Sequence, residues 1–382
     1  MGMYYLYAGT LLLIANLDII VDRNKKTLLF LSSFIVLIFI GLRYELGVDW
    51  LFYRDFYNGG TITLTVEPGY QLLSLAFHQT GASFWFFTFL ITLLSVISLN
   101  YIFKNYSPYP AFLSSIYFII SFGFNIEALR QILAVACFYI ALRAYFKRKE
   151  INYYILCGTG ALFHISALLL LFIPFFIKRS FIKLGLYSLI FGLVLGLVGI
   201  YPVGEFIKIV GSIYSNPYID KLIWYSSTGA IGSILTFNLI FKLLLYVFFI
   251  KSKKNIIMLF SVKNIPLIYL KTFESIFLLM LNIDVFLGQF GTISSRLDEY
   301  FLPSMLIIMT YVIAANAKKG NRILLSCLFS TYILISFSRF ISNDYFAVQF
   351  VPYSNSVLQS LNESQNDIVR ENAVKSHWQM RK

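Results

Sequence analysis

The sequence is poor in charged residues and in the residues that bind metals or form disulfides. Only 13% of its 382 residues are charged, whereas about 25% is usual in soluble domains. The cysteines all lie in apolar stretches, and the histidines have no neighbouring cysteine or glutamate; they are Cys137, Cys157, Cys327, His78, His164 and His377. These residues predict neither a disulfide framework nor a metal site.

The common nucleotide-binding loops are absent as well. Neither GxxxxGK[ST] nor GxGxxG occurs, so we expect no nucleotide hydrolysis on this chain and no cofactor. The net charge of +13 would suggest nucleic acid as a partner of a soluble protein. Here the basic residues lie in short connections between apolar runs, which is typical of topology signals beside an anionic membrane surface. We therefore expect a membrane lipid partner and no nucleic acid.

Apolar residues make up 58% of the chain, and its mean hydropathy is +0.74. This composition predicts an all-α polytopic integral membrane protein of roughly 11–12 transmembrane segments. The sequence indicates one transmembrane domain over residues 1–355, with outer loops 43–81 and 201–231, and a polar tail over 356–382. The first segment lacks a basic start and a cleavage site, so it is predicted to be a retained helix. The predicted spans are 4–20, 27–42, 82–103, 109–124, 128–146, 184–200, 232–250, 266–288, 299–316 and 322–340.

The distribution of lysine and arginine predicts the orientation. Basic clusters near 23–26, 104, 143–149, 178–183, 251–263 and 318–322 contain 18 residues, against 6 in the other connections before the last span. The clusters are expected inside, so both termini and loop 43–81 are expected outside. Because the clusters that flank 152–177 are both inside, this stretch must form a hairpin. His164 lies at its tip, and a polar cavity open to the outside must reach that tip.

Two segments of the first outer loop contain candidate binding residues. The stretch 41–59 combines Arg43, Asp49 and Tyr53 with further aromatic and acidic residues, a common mixture in carbohydrate sites. An interfacial aromatic belt with charges at its edge is the structural alternative. Glu67 precedes Pro68 in an EPGY sequence, where it either caps a helix start or takes part in function.

Four arginines fall at predicted outer ends of helices and suggest a phosphate-binding site, since guanidinium groups bind phosphate through paired hydrogen bonds. They are Arg43, Arg130, Arg296 and Arg339. For Arg130, the alternative is a local salt bridge with Glu127, three residues earlier.

His164 is predicted to act as a general base because a neutral imidazole at a polar hairpin tip can take a proton near pH 7. The alternatives are a histidine with a purely structural role, or a carboxylate base, Asp49 or Glu67, with His164 orienting a sugar. Charges also occur inside the predicted spans. Lys271 and Glu274 could neutralise one another there, or such charges could form a proton relay.

In six short elements the sequence resembles the EpsG-like branch of the Wzy polysaccharide polymerases. The similar elements occur in the family's order and span residues 41–355. They are GLRYELGVDWLFYRDFY (41–57), EPGY (67–70), LRQILA (129–134), FHISAL (163–168), SSRLDEYF (294–301) and VPYSN (351–355). Tyr353 joins the substrate-binding candidates through the last of these. The long polar tail after it departs from the family's pattern.

The resemblance implies a glycosyltransferase in a bacterial cytoplasmic membrane, with its active face on the outer or periplasmic side. Such an enzyme joins oligosaccharide units linked to undecaprenyl pyrophosphate into O-antigen, capsule or exopolysaccharide. It implies no metal, so arginines would hold the pyrophosphate leaving group. A chain-length regulator protein is a further expected partner.

Three other functions stay open from the sequence. The first is a GT-C-type transferase that uses a lipid-phosphosugar, for which Asp49 and Asp55 would supply acidic residues. The second is a relative of the O-antigen ligases, which usually carry a larger outer domain. The third is a non-enzymatic transporter or flippase, which should have polar residues spread through both leaflets.

Overall fold

The computed structural model describes residues 1–21, 24–60, 66–214, 223, 234–361 and 366–379. Across these ranges the chain is helical and contains no strand. Among the described residues, six helices are long and apolar enough to cross a membrane: Gly2–Ile20, Phe84–Tyr106, Leu129–Phe146, Ser180–Leu197, Gly291–Ala314 and Lys319–Ile341. These findings confirm an all-α polytopic membrane protein. The other predicted spans coincide with helices that are shorter, interrupted or more highly charged.

The chain forms two compact units, Met1–Leu171 with Asn316–Lys382, and Phe172–Ala315. The first begins with α1 (Gly2–Ile20), α2 (Lys25–Val36), α3 (Trp50–Gly59), α4 (Pro68–Gln79), α5 (Phe84–Tyr106), α6 (Pro110–Ile120), α7 (Phe122–Glu127), α8 (Leu129–Phe146) and α9 (Glu150–Phe163). The second contains α10 (Ile173–Phe176), α11 (Arg179–Leu197), α12 (Pro202–Ile213), α13 (Phe237–Val262), α14 (Leu267–Leu287) and α15 (Gly291–Ala314). The first unit ends with α16 (Lys319–Ile341), α17 (Asp344–Phe350), α18 (Ser356–Leu361) and α19 (Asn366–Gln379).

The helices α18 and α19 belong to the first compact unit. The division into a domain over 1–355 and a tail over 356–382 stays a prediction. Of the predicted outer loop 201–231, α12 covers Pro202–Ile213, whereas 215–222 and 224–231 lie outside the described residues. In loop 43–81, α3 and α4 form most of the described part.

Local signals explain where several helices begin. Pro68, Pro110 and Pro202 each occupy the first position of a helix, where the missing N–H costs no hydrogen bond. Ser83 begins α5, and its hydroxyl oxygen accepts from the backbone N–H of Phe86 at 3.2 Å.

The predicted hairpin is present, with its reversal at His164. The helix α9 ends there in extended backbone (φ −155°, ψ 121°), and the chain returns as a 3₁₀ helix over Ile165–Phe172. The Tyr153 hydroxyl on the first arm donates to the Leu170 carbonyl on the second. This bond, together with the burial of both residues, holds the arms side by side.

The first unit has two chemically different ends. At the loop end, Tyr4 near the amino terminus donates to the Phe350 carbonyl, and α19 packs on segment 44–54. At the basic end, Lys25 Nζ donates to the Pro108 carbonyl at 2.7 Å. The connections at this end contain Lys25, Lys26, Lys104, Arg143, Lys147, Arg148, Lys149, Lys318, Lys319 and Arg322. The amino terminus, segment 43–60, the hairpin tip and α19 thus share one end, and the outward orientation of that end stays a prediction.

Candidate functional site

Segment 43–60 starts from a widened turn at the end of α2. The backbone makes a π-helical turn over Leu37–Gly41, which disturbs the regular i→i−4 hydrogen bonds. Three side chains donate to carbonyls of this turn. Arg43 Nη1 donates to Ile40 at 2.8 Å, the Tyr353 hydroxyl to Phe39 at 3.0 Å, and Asn355 Nδ2 to Ile38 at 3.2 Å.

Arg43 and Tyr353, both predicted to bind substrate, are thus close together in the structure and serve the backbone. Arg43 is only 3% exposed, and its backbone pairs with that of Asn355. The Tyr353 ring stacks on Phe39 with a centroid distance of 4.1 Å. Direct substrate contact by Arg43 and Tyr353 stays a prediction, and their observed bonds fix the position of the segment that follows.

Arg130, Glu67 and Tyr53 come together from three parts of the chain. Arg130 Nη1 lies 2.5 Å from Glu67 Oε2, and Arg130 Nε donates to the Tyr53 hydroxyl at 3.3 Å. The side chains of Arg130 and Glu67 are 22% and 17% exposed. Arg130 lies at the start of α8, Glu67 directly before α4, and Tyr53 in α3. The group is therefore reachable from the loop end while remaining partly shielded from water.

The alternative pairing of Arg130 with Glu127 does not form. The helical backbone is interrupted at Ala128 (φ −95°, ψ 53°), so residues 127 and 130 are not on one continuous helical face. Glu127 Oε1 instead accepts from the Val48 N–H at 3.1 Å and from the Tyr345 hydroxyl at 2.7 Å. Glu127 thus links segment 43–60 to Tyr345 through hydrogen bonds, and Arg130 pairs with Glu67 instead.

Glu67 also reaches the tip of the hairpin. Its Oε1 accepts from the backbone N–H of Ile165 at 3.4 Å. The close approach of α4 to α9 requires glycine at position 69, since a Cβ there would lie 2.8 Å from the Leu162 carbonyl oxygen. The EPGY sequence therefore supplies the charged residue, the helix start and the close contact. Glu67 connects Arg130 to the residue that follows His164.

His164 is half-buried at this tip, and Ser166 is its neighbour. His164 Nδ1 lies 2.6 Å from Ser166 Oγ and 3.4 Å from the backbone N of Ser166. A backbone N–H can only donate, so Nδ1 is the accepting nitrogen and a neutral ring carries its proton on Nε2. The nitrogen that can take a proton is therefore the one that faces Ser166. His164 was predicted from the sequence, whereas Ser166 was given no role there, although it lies in the same FHISAL element.

The remaining predicted site residues occupy other positions. Asp49 precedes α3, and its carbonyl accepts from the Tyr53 N–H at 3.1 Å, so it lies one helical turn from Tyr53. Arg339 is exposed in the last turn of α16 at the loop end of the first unit. Arg296 is exposed in the second turn of α15, in the second unit. The structure thus groups Tyr53, Glu67, Arg130 and His164, and pairs Arg43 with Tyr353.

Tyr70 is a buried neighbour that the sequence analysis did not select. Its ring centroid lies 5.5 Å from that of Tyr53, and its side chain is fully buried. Burial raises the pKa of the Tyr70 phenol well above its usual value, so the group stays neutral. Arg130 and Arg43 act in the opposite direction on this pKa, which shows that both guanidinium groups are near the same phenol.

The charges inside the spans of the second unit are paired differently from the prediction. Glu274 contacts Lys253 Nζ at 2.5 Å, not the i−3 residue Lys271 that was expected to neutralise it. The long helix α13 carries Lys253 to Glu274, an approach that spacing along one helix cannot reveal.

A second cluster in the same unit joins α13, α14 and α15. Lys242 Nζ lies 2.8 Å from Asp284 Oδ2 and 2.5 Å from Asp298 Oδ2. These three side chains are 10%, 13% and 17% exposed.

Comparison of the sequence with protein families matches residues 26–355, most of the chain, to the EpsG family. The chain belongs to the EpsG family. No curated protein and no solved structure matches it. Membership in the EpsG family confirms the resemblance and suggests a polysaccharide polymerase type of function. We call Tyr53, Glu67, Arg130 and His164 the Arg130 group. The EpsG match includes all four residues and ends before α18 and α19.

Proposed function

We propose that this EpsG-family protein joins oligosaccharide units carried on undecaprenyl pyrophosphate, at the outer face of a bacterial cytoplasmic membrane. The product is O-antigen, capsule or exopolysaccharide. The observation that carries the proposal is the position of Glu67, which connects the Arg130 guanidinium to the tip of the His164 hairpin. A cation, a carboxylate and an imidazole thereby meet at one end of a membrane-embedded unit.

Arg130 binds the pyrophosphate of the donor in this proposal. Nη1 and Nε are engaged by Glu67 and Tyr53, and Nη2 makes no hydrogen bond to the described residues. A guanidinium group with unused donors can therefore donate to a phosphate oxygen beside its existing partners. Charge that develops on the leaving pyrophosphate is stabilised by this fixed cation, in a site where water is partly excluded.

Ser166 and His164 remove the proton from the acceptor sugar. The acceptor hydroxyl oxygen attacks the anomeric carbon of the donor, and the bond from that carbon to the pyrophosphate oxygen breaks. The hydroxyl proton passes to Ser166 Oγ, whose own proton passes to His164 Nδ1. Undecaprenyl pyrophosphate leaves as an anion with a low proton affinity, so the step needs no second acid, unlike a glycosidase pair.

The orientation follows from the asymmetry of the first unit. The basic residues of its connections concentrate at the end opposite the Arg130 group. Basic connections favour the cytoplasmic side, so the Arg130 group faces outward in this proposal. Both lipid-linked substrates then reach the site from the outer leaflet, and a chain-length regulator protein is a candidate partner there.

The test is His164→Gln in the full chain, in cells that lack their own copy. Loss of the base should lower polymerisation about 10²–10⁴-fold, with accumulation of single lipid-linked units and loss of the polymer ladder. Ser166→Ala should show the same defect, and Ser166→Thr, which keeps the hydroxyl, should retain activity. His78→Gln is the matched control because His78 is also at the loop end, 5.5 Å from the Tyr57 ring.

Protein levels and the elution profile in detergent are measured for each variant. A full ladder from well-expressed His164→Gln would rule out the base role. Normal activity in Ser166→Ala alone would remove the relay and leave His164 as the direct base. A requirement for a divalent metal with a lipid-monophosphate donor would favour the GT-C alternative.

A further inference from the structure

The polar tail beyond the family match is seated on the segment that carries Tyr53. The helix α19 spans Asn366–Gln379, and its Val374 is only 1% exposed. Val374 packs against Trp50 and Leu51, the first residues of α3. A predominantly polar helix that buries Val374 on a tryptophan and a leucine, while its other valine, Val369, is 69% exposed, is docked through this face.

Polar side chains of α19 bind the backbone of the same segment. Arg370 Nη1 donates to the carbonyls of Tyr44 and Glu45, each at 3.2 Å, and its Nη2 donates to the Pro352 carbonyl. The Trp378 indole N–H donates to the Val48 carbonyl at 3.4 Å. The planar fork of Arg370 thus links two stretches of chain that flank the buried Arg43.

A charged contact adds to these bonds at the start of α3. Arg54 Nη2 lies 3.2 Å from Glu371 Oε2 and 3.1 Å from Asp55 Oδ1. Glu371 also contacts Lys375 of its own helix at 2.6 Å. The two side chains are 25% and 30% exposed, so water screens the contact and it contributes less than the Arg370 fork to holding the helix.

The backbone of segment 44–48, which α19 contacts, is not stabilised by regular secondary structure. Residues 44–48 form neither helix nor strand, and Glu45 (φ 50°) and Gly47 (φ 83°) have left-handed backbone. Left-handed backbone is unfavourable for a residue with a side chain such as Glu45, so neighbouring bonds must maintain it. The carbonyls of Tyr44, Glu45 and Val48 receive bonds from α19. The N–H groups of Tyr44, Gly47 and Val48 are bound by other parts of the first unit.

We infer that α19 positions the reaction site of the proposed polymerase, with Arg370 as the principal positioning residue. The docking of α19 is independent of the proposed function, whereas its effect on the reaction rests on that function. Arg370 fixes segment 44–48, which leads directly into α3. There, the Tyr53 hydroxyl accepts from Arg130 Nε at 3.3 Å. Arg370 acts on the guanidinium through Tyr53 and does not touch the substrate.

The docking is tested without reference to activity, by hydrogen exchange on the full chain in detergent. In Arg370→Ala, amides of peptides that cover residues 42–56 should exchange about tenfold faster or more. Arg370→Lys should behave like Arg370→Ala because one ammonium group cannot reach three carbonyls. Lys375→Ala is the matched control on the same helix, since Lys375 is 55% exposed and its ion pair is with Glu371 of its own helix. Unchanged exchange in Arg370→Ala would overturn the inference.

The catalytic part is tested by kinetics with a lipid-linked donor. Arg370→Ala should lower kcat about tenfold and leave KM near its original value, because the substrate contacts are retained. In a Tyr53→Phe background the same substitution should have a much smaller effect, since both changes act on one contact. Faster exchange with unchanged kcat would show that α19 positions nothing, and a rise in kcat would make it an inhibitory lid. If no variant polymerises any donor, the proposed function fails, and the exchange result still stands.

Discussion

Each of the two units contains opposite charges within an otherwise apolar fold, but the two clusters are built differently. In the first unit, Arg130 and Glu67 lie at the ends of helices and are 22% and 17% exposed. In the second unit, Lys242 meets Asp284 and Asp298 along the sides of three helices, and its side chain is 10% exposed. One cluster opens to the loop end, and the other is packed among helices.

The difference lies in what each cation has left to bind. Arg130 keeps a nitrogen, Nη2, that has no hydrogen bond to the described residues. Lys242 has a carboxylate oxygen on two sides and compensates two acids that are 13% and 17% exposed. A charge inside a span is therefore not evidence of a site by itself. Accessibility and unused donors are what separate a binding group from a structural one.

The largest effect should come from removing Lys242, the cation of the second unit's cluster. Lys242→Met leaves two carboxylates facing one another with no counter-charge. Breaking a buried pair in this way costs about 3–5 kcal/mol, so we expect a much lower unfolding temperature in detergent and a reduced protein level.

Lys208→Met is the control, because Lys208 and Glu205 form an exposed pair in the same unit, at 54% and 61% exposure. A surface pair of this kind should contribute no more than about 1 kcal/mol. A Lys242→Met protein with a normal unfolding temperature and no polymerisation would reverse the comparison, and would make the second unit's cluster a functional site.

A smaller effect, on activity and not on stability, is expected from Arg130→Lys. Lysine keeps the charge but cannot contact Glu67, Tyr53 and a phosphate together. The loss of a charged hydrogen bond, about 1.5–3 kcal/mol, corresponds to a fall in polymerisation of roughly ten- to a hundredfold.

Arg143→Lys is a matched control on the same helix. The two arginines lie at opposite ends of α8, and each guanidinium group faces a tyrosine ring. The guanidinium carbon of Arg130 is 5.8 Å from the centroid of Tyr53, and that of Arg143 is 4.4 Å from the centroid of Tyr101. Equal activity of the two lysine variants at equal protein levels would show that Arg130 is a structural charge.

The smallest effect should be a change in α19 docking with pH. Hydrogen bonds from Lys375 and then from Arg54 hold the pKa of Glu371 below its usual 4.5. Lys375 lies on α19 itself, so only the lowering that Arg54 of α3 supplies stabilises the docked state. That contribution is present above the usual pKa of Glu371 and is lost as the pH falls through the lowered value. Asp55 and Glu45 also face Arg54.

Protease cleavage of the tail at pH 7 and near pH 4 measures this effect. Cleavage should become modestly faster at the lower pH in the original protein, and Glu371→Gln should remove most of the difference. If the pH dependence persists unchanged in Glu371→Gln, another acid near Arg54 is responsible.

The apolar spans, the basic end of the first unit and the hairpin at His164 were all determined by the sequence. Hydropathy and helix length are properties of a local stretch, and they act whatever the rest of the chain does. The need to return 152–177 to the side from which it came follows from basic residues at both of its ends. The EPGY and FHISAL elements could likewise be chosen as candidates from their own residues.

The partners of the charged residues were decided only by the tertiary structure. Spacing along the chain suggested Glu127 for Arg130 and Lys271 for Glu274, yet Glu67 and Lys253 occupy those places. The interruption at Ala128 and the approach of helices distant in sequence set these contacts.

The π-helical turn that buries Arg43, and the docking of α19 on segment 44–48, also depend on chain segments about 300 residues apart. A side chain binds whichever group the fold brings within about 3 Å, and that choice is not encoded in any local pattern.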